Sequence, residues 1–210
     1  MKKKLLFVLA ATTMLFTAGF NRLTYEDIFL QNEDTVQAHI GIPITGTFID
    51  ELLSQWAHNF YHLALAQANE ANAKGELHIG WEIFWIGDRY TGVLENGDFT
   101  HSGMAHPQDV IAGFNFDMKE EKPLTNEEIL DMKRSDEILK LIVEELTKAH
   151  PDTHIFEPDA SWLNHLVLTN DGVMVVLERG TALPGSEGTQ RVTLSFESLG
   201  DLFLLGKDKS

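Results

Sequence analysis

From residue 76 to residue 86 the chain reads ELHIGWEIFWI, placing Leu77, Ile79, Trp81, Ile83 and Trp85 at every second position. Successive side chains of a strand point to opposite faces, so this run reads as a strand with one apolar face rather than as an amphipathic helix. Such a face needs a cover. The preceding stretch, residues 47–73, repeats Ile49, Leu52, Leu53, Trp56, Phe60 and Leu63 at three- and four-residue steps. That spacing predicts a long amphipathic helix whose stripe lies on the sheet. Thr47 with Asp50 marks its start, and Lys74-Gly75 its end. Together they set the class as α+β: an antiparallel β-sheet with a long amphipathic helix and shorter helices packed on it.

The remaining chain extends this frame. Residues 21–34 are polar around Tyr25, Ile28 and Leu30 and read as a linker or short helix. Residues 35–44 alternate Val36, Ala38, Ile40 and Ile42, a strand that Pro43 places at its end or at an edge. Gly87-Asp88 is a turn into a strand from Tyr90, and Asn96-Gly97-Asp98 reads either as a hairpin turn or as a bulge in a longer strand. Gly103 and Pro107 interrupt regular structure before residues 108–118, where Val110, Ala112, Phe114 and Phe116 alternate and complete an antiparallel meander. Thr125 and Glu128 form a capping box for a helix from Asn126. Residues 136–149 form a second helix on Ile138, Leu139, Ile142 and Leu146, stopped by Pro151. Asn170-Asp171-Gly172 joins two apolar runs into a hairpin. A long glycine-rich loop over 179–188, a strand over 192–194 and a helix capped by Ser195 close the chain.

Charge narrows the partners. The 210 residues carry 16 Lys and Arg against 32 Asp and Glu, which argues against nucleic acid and anionic membrane, since both need a basic footprint. Residues 1–19 read as a signal peptide: Lys2, Lys3 and Lys4, an apolar run over 5–16, then Thr17-Ala18-Gly19. An uncleaved anchor is the alternative and the sole expected membrane contact. Cleavage would remove three lysines and no acid, taking the net charge from −16 to −19. The expected location is extracytoplasmic, and without cysteine the domain must rely on its core. The expected division is a signal peptide over 1–19, a linker over 20–34 and a domain over 35–205, with halves 35–118 and 119–205.

No residue pattern assigns a catalytic group, metal or cofactor. His58 and His62 have the spacing of a helical zinc pair, but Asn59-Phe60-Tyr61 between them lacks the glutamate base. By helical angle both fall opposite the Trp56 stripe, on a solvated face. His150, Asp152, His154 and Asp159 surround Pro151 and would hold a cation only loosely. Ser186 lacks the elbow of a hydrolase nucleophile, and Glu178 and Glu187 are paired acids in an acid-rich chain. His101 and His106 flank the SGMA turn and carry the one enzymatic alternative, a metal-assisted hydrolase.

Two blocks carry a family resemblance: SGMAHP with FNFDMKEEKPLTNEEIL, and LTNDGVMVVLERGTALPGSEGTQRVTLSFESLGDLF. Both resemble a bacterial extracytoplasmic domain family of unknown function, found as the outer domain of lysozyme-sensing anti-sigma factors (RsiV type). The same family includes the non-catalytic region of certain peptidoglycan deacetylases (PdaC type). The resemblance implies a non-enzymatic binding or sensing module with two edges, one at Ser102, Gly103, His106 and Pro107, the other at Arg179, Pro184 and Gly188. It implies a cationic cell-wall-active protein such as lysozyme, or a wall glycan, as partner. Arg179, Gly180 and Gly185 stand where the family carries aromatic and proline residues, and Met104 where it carries glycine. Only residues 1–4 precede the apolar segment and the chain ends at Ser210, so the sensing domain is expected alone, without a cytoplasmic anti-sigma segment or a deacetylase domain.

Overall fold

The computed structural model describes residues 24–32 and 35–206, with side chains from Thr35 onward; the signal-peptide reading lies outside them. Six strands form one sheet in chain order: β1 (Thr24–Asn32), β2 (Val36–Ile44), β3 (Gly75–Ile86), β4 (Tyr90–His101), β5 (Gln108–Asp117) and β6 (Lys122–Pro123). A second sheet holds β7 (Leu166–Leu168), β8 (Gly172–Leu177) and β9 (Gln190–Ser195). Four α-helices accompany them: α1 (Ile49–Glu70), α2 (Asn126–Ile129), α3 (Ser135–Ala149) and α4 (Phe196–Leu199). The class is α+β.

Three features differ from the sequence expectation. The stretch expected as linker or short helix supplies β1, antiparallel to β2 with Ile28 opposite Ile40. Strands β2 and β3 run parallel, with Ala38 opposite Leu77. A parallel pair cannot be closed by a tight turn and needs a long crossover, which is the role of the 22-residue α1. Finally, α3 packs against β9 of the second sheet rather than on the first.

The described residues divide into two compact units, one comprising those up to 81 with 95–110, the other 82–94 with those from 111 onward. In the first, α1 lies on β2. Its buried face is Ile49, Leu53, Ala57, Tyr61, Ala64 and Ala68, while Leu52 and Leu63 of the expected stripe are exposed. Three alanines on the buried face, beside Ile49, Leu53 and Tyr61, let the helix backbone sit close to the sheet, and Leu52 and Leu63 fall on its flank. Asp50 organises the start of α1 by reaching backward: its carboxylate accepts from the Thr45 N–H at 2.8 Å, the Gly46 N–H at 2.8 Å and the Thr45 hydroxyl at 2.6 Å. The helix ends through Asn72 at φ 48°, a left-handed residue in the place expected of glycine. Residues 96–98 continue β4 without a turn. A Cβ on Gly97 would stand 1.8 Å from the His78 carbonyl oxygen, so that crossing requires glycine.

The second unit has a continuous core in which Ile138, Leu139, Ile142 and Leu146 of α3 meet Trp162, Leu166, Val175 and Leu194. Each such buried side chain contributes about 1.5–3 kcal/mol. The backbone of β7 is held by Asn115, which donates from Nδ2 to the Leu166 carbonyl at 2.8 Å and accepts at Oδ1 from the Leu168 N–H at 2.6 Å. The capping box forms as expected, Glu128 N–H donating to Thr125 Oγ1 at 3.3 Å and Thr125 N–H to Glu128 Oε2 at 2.8 Å.

Candidate functional site

The SGMAHP turn leaves β4 at His101. Ser102 N–H donates to the Lys74 carbonyl at 3.0 Å, tying the turn to the chain just past α1, and Met104 N–H closes it on the His101 carbonyl at 3.0 Å. Gly103 sits at φ 114°, which a side chain would strain. The His101 ring packs 5.8 Å from Phe99 with Nδ1 3.2 Å from the Ser102 carbonyl oxygen, and His106 Nδ1 lies 3.1 Å from that of Pro107. Each imidazole therefore meets a local backbone oxygen. Among the described residues, no three His, Cys, Asp or Glu side chains are grouped to hold a metal ion.

Beside this turn an open pocket of about 310 Å³ is lined by Thr35, Asn69, Asn72, Lys74, Ser102 and the alanines 68 and 73. Besides the two alanines, its walls are residues bearing hydroxyls, amides and one ammonium, next to the carbonyl end of α1, where the helix dipole carries partial negative charge. Gly75 N–H donating to the Thr35 carbonyl at 2.8 Å and Ala73 N–H to the Ala68 carbonyl at 2.9 Å fix the backbone around it. Chemically it can grip a neutral polar molecule by hydrogen bonds. Ser102 is the one anticipated residue that lines it. Asn69, Asn72, Lys74 and Thr35 were missed, although two asparagines three apart at a helix end were a usable signal.

The second anticipated edge is anchored at several points. Thr181 N–H donates to the Glu178 carbonyl at 3.0 Å, Phe156 N–H to the Ala182 carbonyl at 2.9 Å, and Ala182 and Leu183 are buried. Pro184 opens a single 3-10 turn over Gly185–Glu187, and Gly188 leaves it at φ 71°. Gln190 then clasps the loop: its Nε2 donates to the Glu187 carbonyl at 2.7 Å, and its Oε1 accepts from His150 Nε2 at 2.9 Å. Arg179 is exposed at the loop's start. The loose cation cluster around Pro151 is thereby dispersed: His150 serves Gln190, the His154 ring packs 5.7 Å from Phe156, and Asp159 caps Ser161 N–H at 2.7 Å. Ser102, Gly103, His106 and Pro107 belong to the first unit, and Arg179, Pro184 and Gly188 to the second.

Two buried carboxyls contrast sharply. Burial raises Asp117, but the Arg89 Nε–H at 3.0 Å and the N–H groups of Glu120 at 3.1 Å and Lys119 at 2.9 Å outweigh it, holding the group below the usual carboxylate range. Glu95 is fully buried and neither of its oxygens has a hydrogen-bond partner among the described residues, so desolvation pushes it up to about 9. It is neutral at pH 7.

No family model matches the chain, and no curated protein matches it. Its fold is shared with solved structures. A DUF3298 family protein from Pseudomonas aeruginosa PAO1 superposes with a TM-score of 0.62 at 12% identity, over 87% of this chain and 95% of that one. A DUF3298 member from Bacteroides fragilis NCTC 9343 gives a TM-score of 0.56 at 10% identity, over 86% of this chain and 93% of that one. At such identity the likeness concerns architecture: this chain has the fold seen in DUF3298 proteins, a domain of unknown function.

Proposed function

We propose that the chain is a non-enzymatic binding and sensing module of the bacterial cell envelope, exported across the membrane, whose pocket beside Ser102 takes a hydroxyl-rich wall glycan. The observation that carries this reading is the sharing of Ser102 between the SGMAHP turn and a pocket walled by hydroxyls, amides and a single ammonium. A saccharide offers donors and acceptors in similar number, matching such a wall. The fold seen in DUF3298 proteins is compatible with the resemblance to RsiV-type and PdaC-type domains. A second reading, capture of a cationic wall-active protein of lysozyme type, is favoured by the excess of 32 acids over 16 bases.

Calorimetric titration with soluble wall glycan fragments and, separately, with lysozyme tests both. Asn72→Gly removes the amide while suiting the φ of 48°, and its expected effect is about a tenfold loss of glycan affinity, one lost hydrogen bond of about 1.4 kcal/mol. Unchanged affinity in this variant, or no glycan binding by the parent chain, overturns the pocket reading. Lysozyme binding that weakens for Glu187→Lys, exposed in the 185–187 turn, selects the second. Metal analysis of the parent chain and His106→Ala decides the hydrolase alternative, which requires stoichiometric metal that the variant loses.

A further inference from the structure

The flank of α1 carries an apolar ridge that the core does not absorb. Leu52 is 36% exposed and Leu63 52%, with the half-buried Trp56 and Phe60 between them, their rings 5.7 Å apart. The steps of four, four and three residues keep all of them on one side of the helix. This ridge lies in a run without charge: from Leu52 to Asn69 there is no Asp, Glu, Lys or Arg, in a chain that is 23% charged. Depletion of charge with enrichment of aromatics is the compositional mark of an interface core, and differs from the solvated face of an ordinary surface helix.

The order of the ridge suits a second copy of itself. Leucine, aromatic, aromatic, leucine reads alike from either end, about a centre between Trp56 and Phe60. A two-fold axis through that centre sets Leu52 against Leu63 of a second copy and Trp56 against its Phe60, which is the self-complementarity an isologous contact demands. Charge restricts where two copies can meet. Two copies at −16 repel each other over most of their surfaces. The charge-free stretch of α1 lets them meet without opposing carboxylates. We propose that α1 is the interface of a homodimer, packed antiparallel against α1 of a second copy of this chain.

Sedimentation velocity on the purified chain, at low and high micromolar concentration, tests this. The expected result is a dimer at high concentration and, for Leu63→Glu, at least a tenfold rise in the concentration of half-dissociation with an unchanged far-ultraviolet spectrum. The chain has no cysteine, so a single one reports on geometry. Asn59→Cys, exposed near the centre of the ridge, should give a disulfide-linked dimer under mild oxidation, and Ser186→Cys in the second loop should not. A parent chain that stays monomeric at high concentration, a dimer indifferent to Leu63→Glu, or equal cross-linking at both positions overturns the proposal. So does a monomer that binds lipid vesicles through Leu63, which would assign the ridge to a membrane surface.

Discussion

Glu95 loses its hydration and receives no hydrogen bond from the described residues in return, so the fold selects its protonated form. With the folded value near 9 and the ordinary one at 4.5, the sign is fixed. Below the ordinary value both states hold the proton and the full contribution is present. Between the two values only the folded chain keeps it, so stability falls as pH rises through that window, by up to about 1.4 kcal/mol per pH unit. Glu95→Gln retains the shape and has no proton to lose. Urea midpoints at pH 6 and pH 8.5 should differ less in this variant than in the parent, and an equal difference would mean that Glu95 is hydrated. Nothing in the sequence flagged this residue, because a glutamate in a strand beside Asn96 and Asp98 reads as solvent-facing. By contrast the Thr125 and Glu128 cap was legible to the residue, since both partners lie within one helical turn.

At the scale of elements, α1 shows what periodicity can and cannot tell. Its existence followed from the spacing of large apolar residues, and so did the burial of Ile49 and Leu53, but the rest of the buried face, through Ala57, Tyr61, Ala64 and Ala68, did not. Side-chain size dominates a hydrophobic stripe, whereas contact with a sheet favoured the row containing Ala57, Ala64 and Ala68. Ala57→Leu is therefore expected to overpack the helix–sheet contact and to destabilise by about 1–3 kcal/mol, while Leu63→Ser should change stability by less than about 0.5 kcal/mol. Chemical denaturation at low micromolar concentration, where association does not contribute, reads both, and the reverse order would restore the stripe read from sequence. The parallel pairing of β2 and β3 has a signal in the sequence: two strands separated by one long helix are the signature of a crossover. Strand β1 had none, because its alternation is weak and its partner β2 alone places it in the sheet.

For the molecule as a whole, the class and the order of the main elements from β2 onward were legible, and β1 and the candidate pocket were not. Its walls come from Thr35, from residues 68–74 and from Ser102, segments brought together by sheet pairing and by the end of α1. Local patterns mark turns; they do not say which turns will share a cavity. The second core shows a similar dependence on distant residues, since Asn115 holds Leu166 and Leu168 across 51 and 53 positions. Asn115→Ala should cost about 2 kcal/mol by leaving a buried carbonyl and a buried N–H unmet. Hydrogen exchange should show faster loss of protection at Leu168 than in β9, and unchanged protection there would show that water takes over the role of the amide.

That side chain imitates a strand: with two atoms it offers the donor and acceptor that a neighbouring backbone would present. A fragment cut at residue 119, the boundary the sequence invites, would keep β7 and lose the hand that steadies it. Its raw border would then be open to any passing extended peptide. Dissection, swapping or grafting of this module is best planned with position 115 travelling alongside the hairpin it serves.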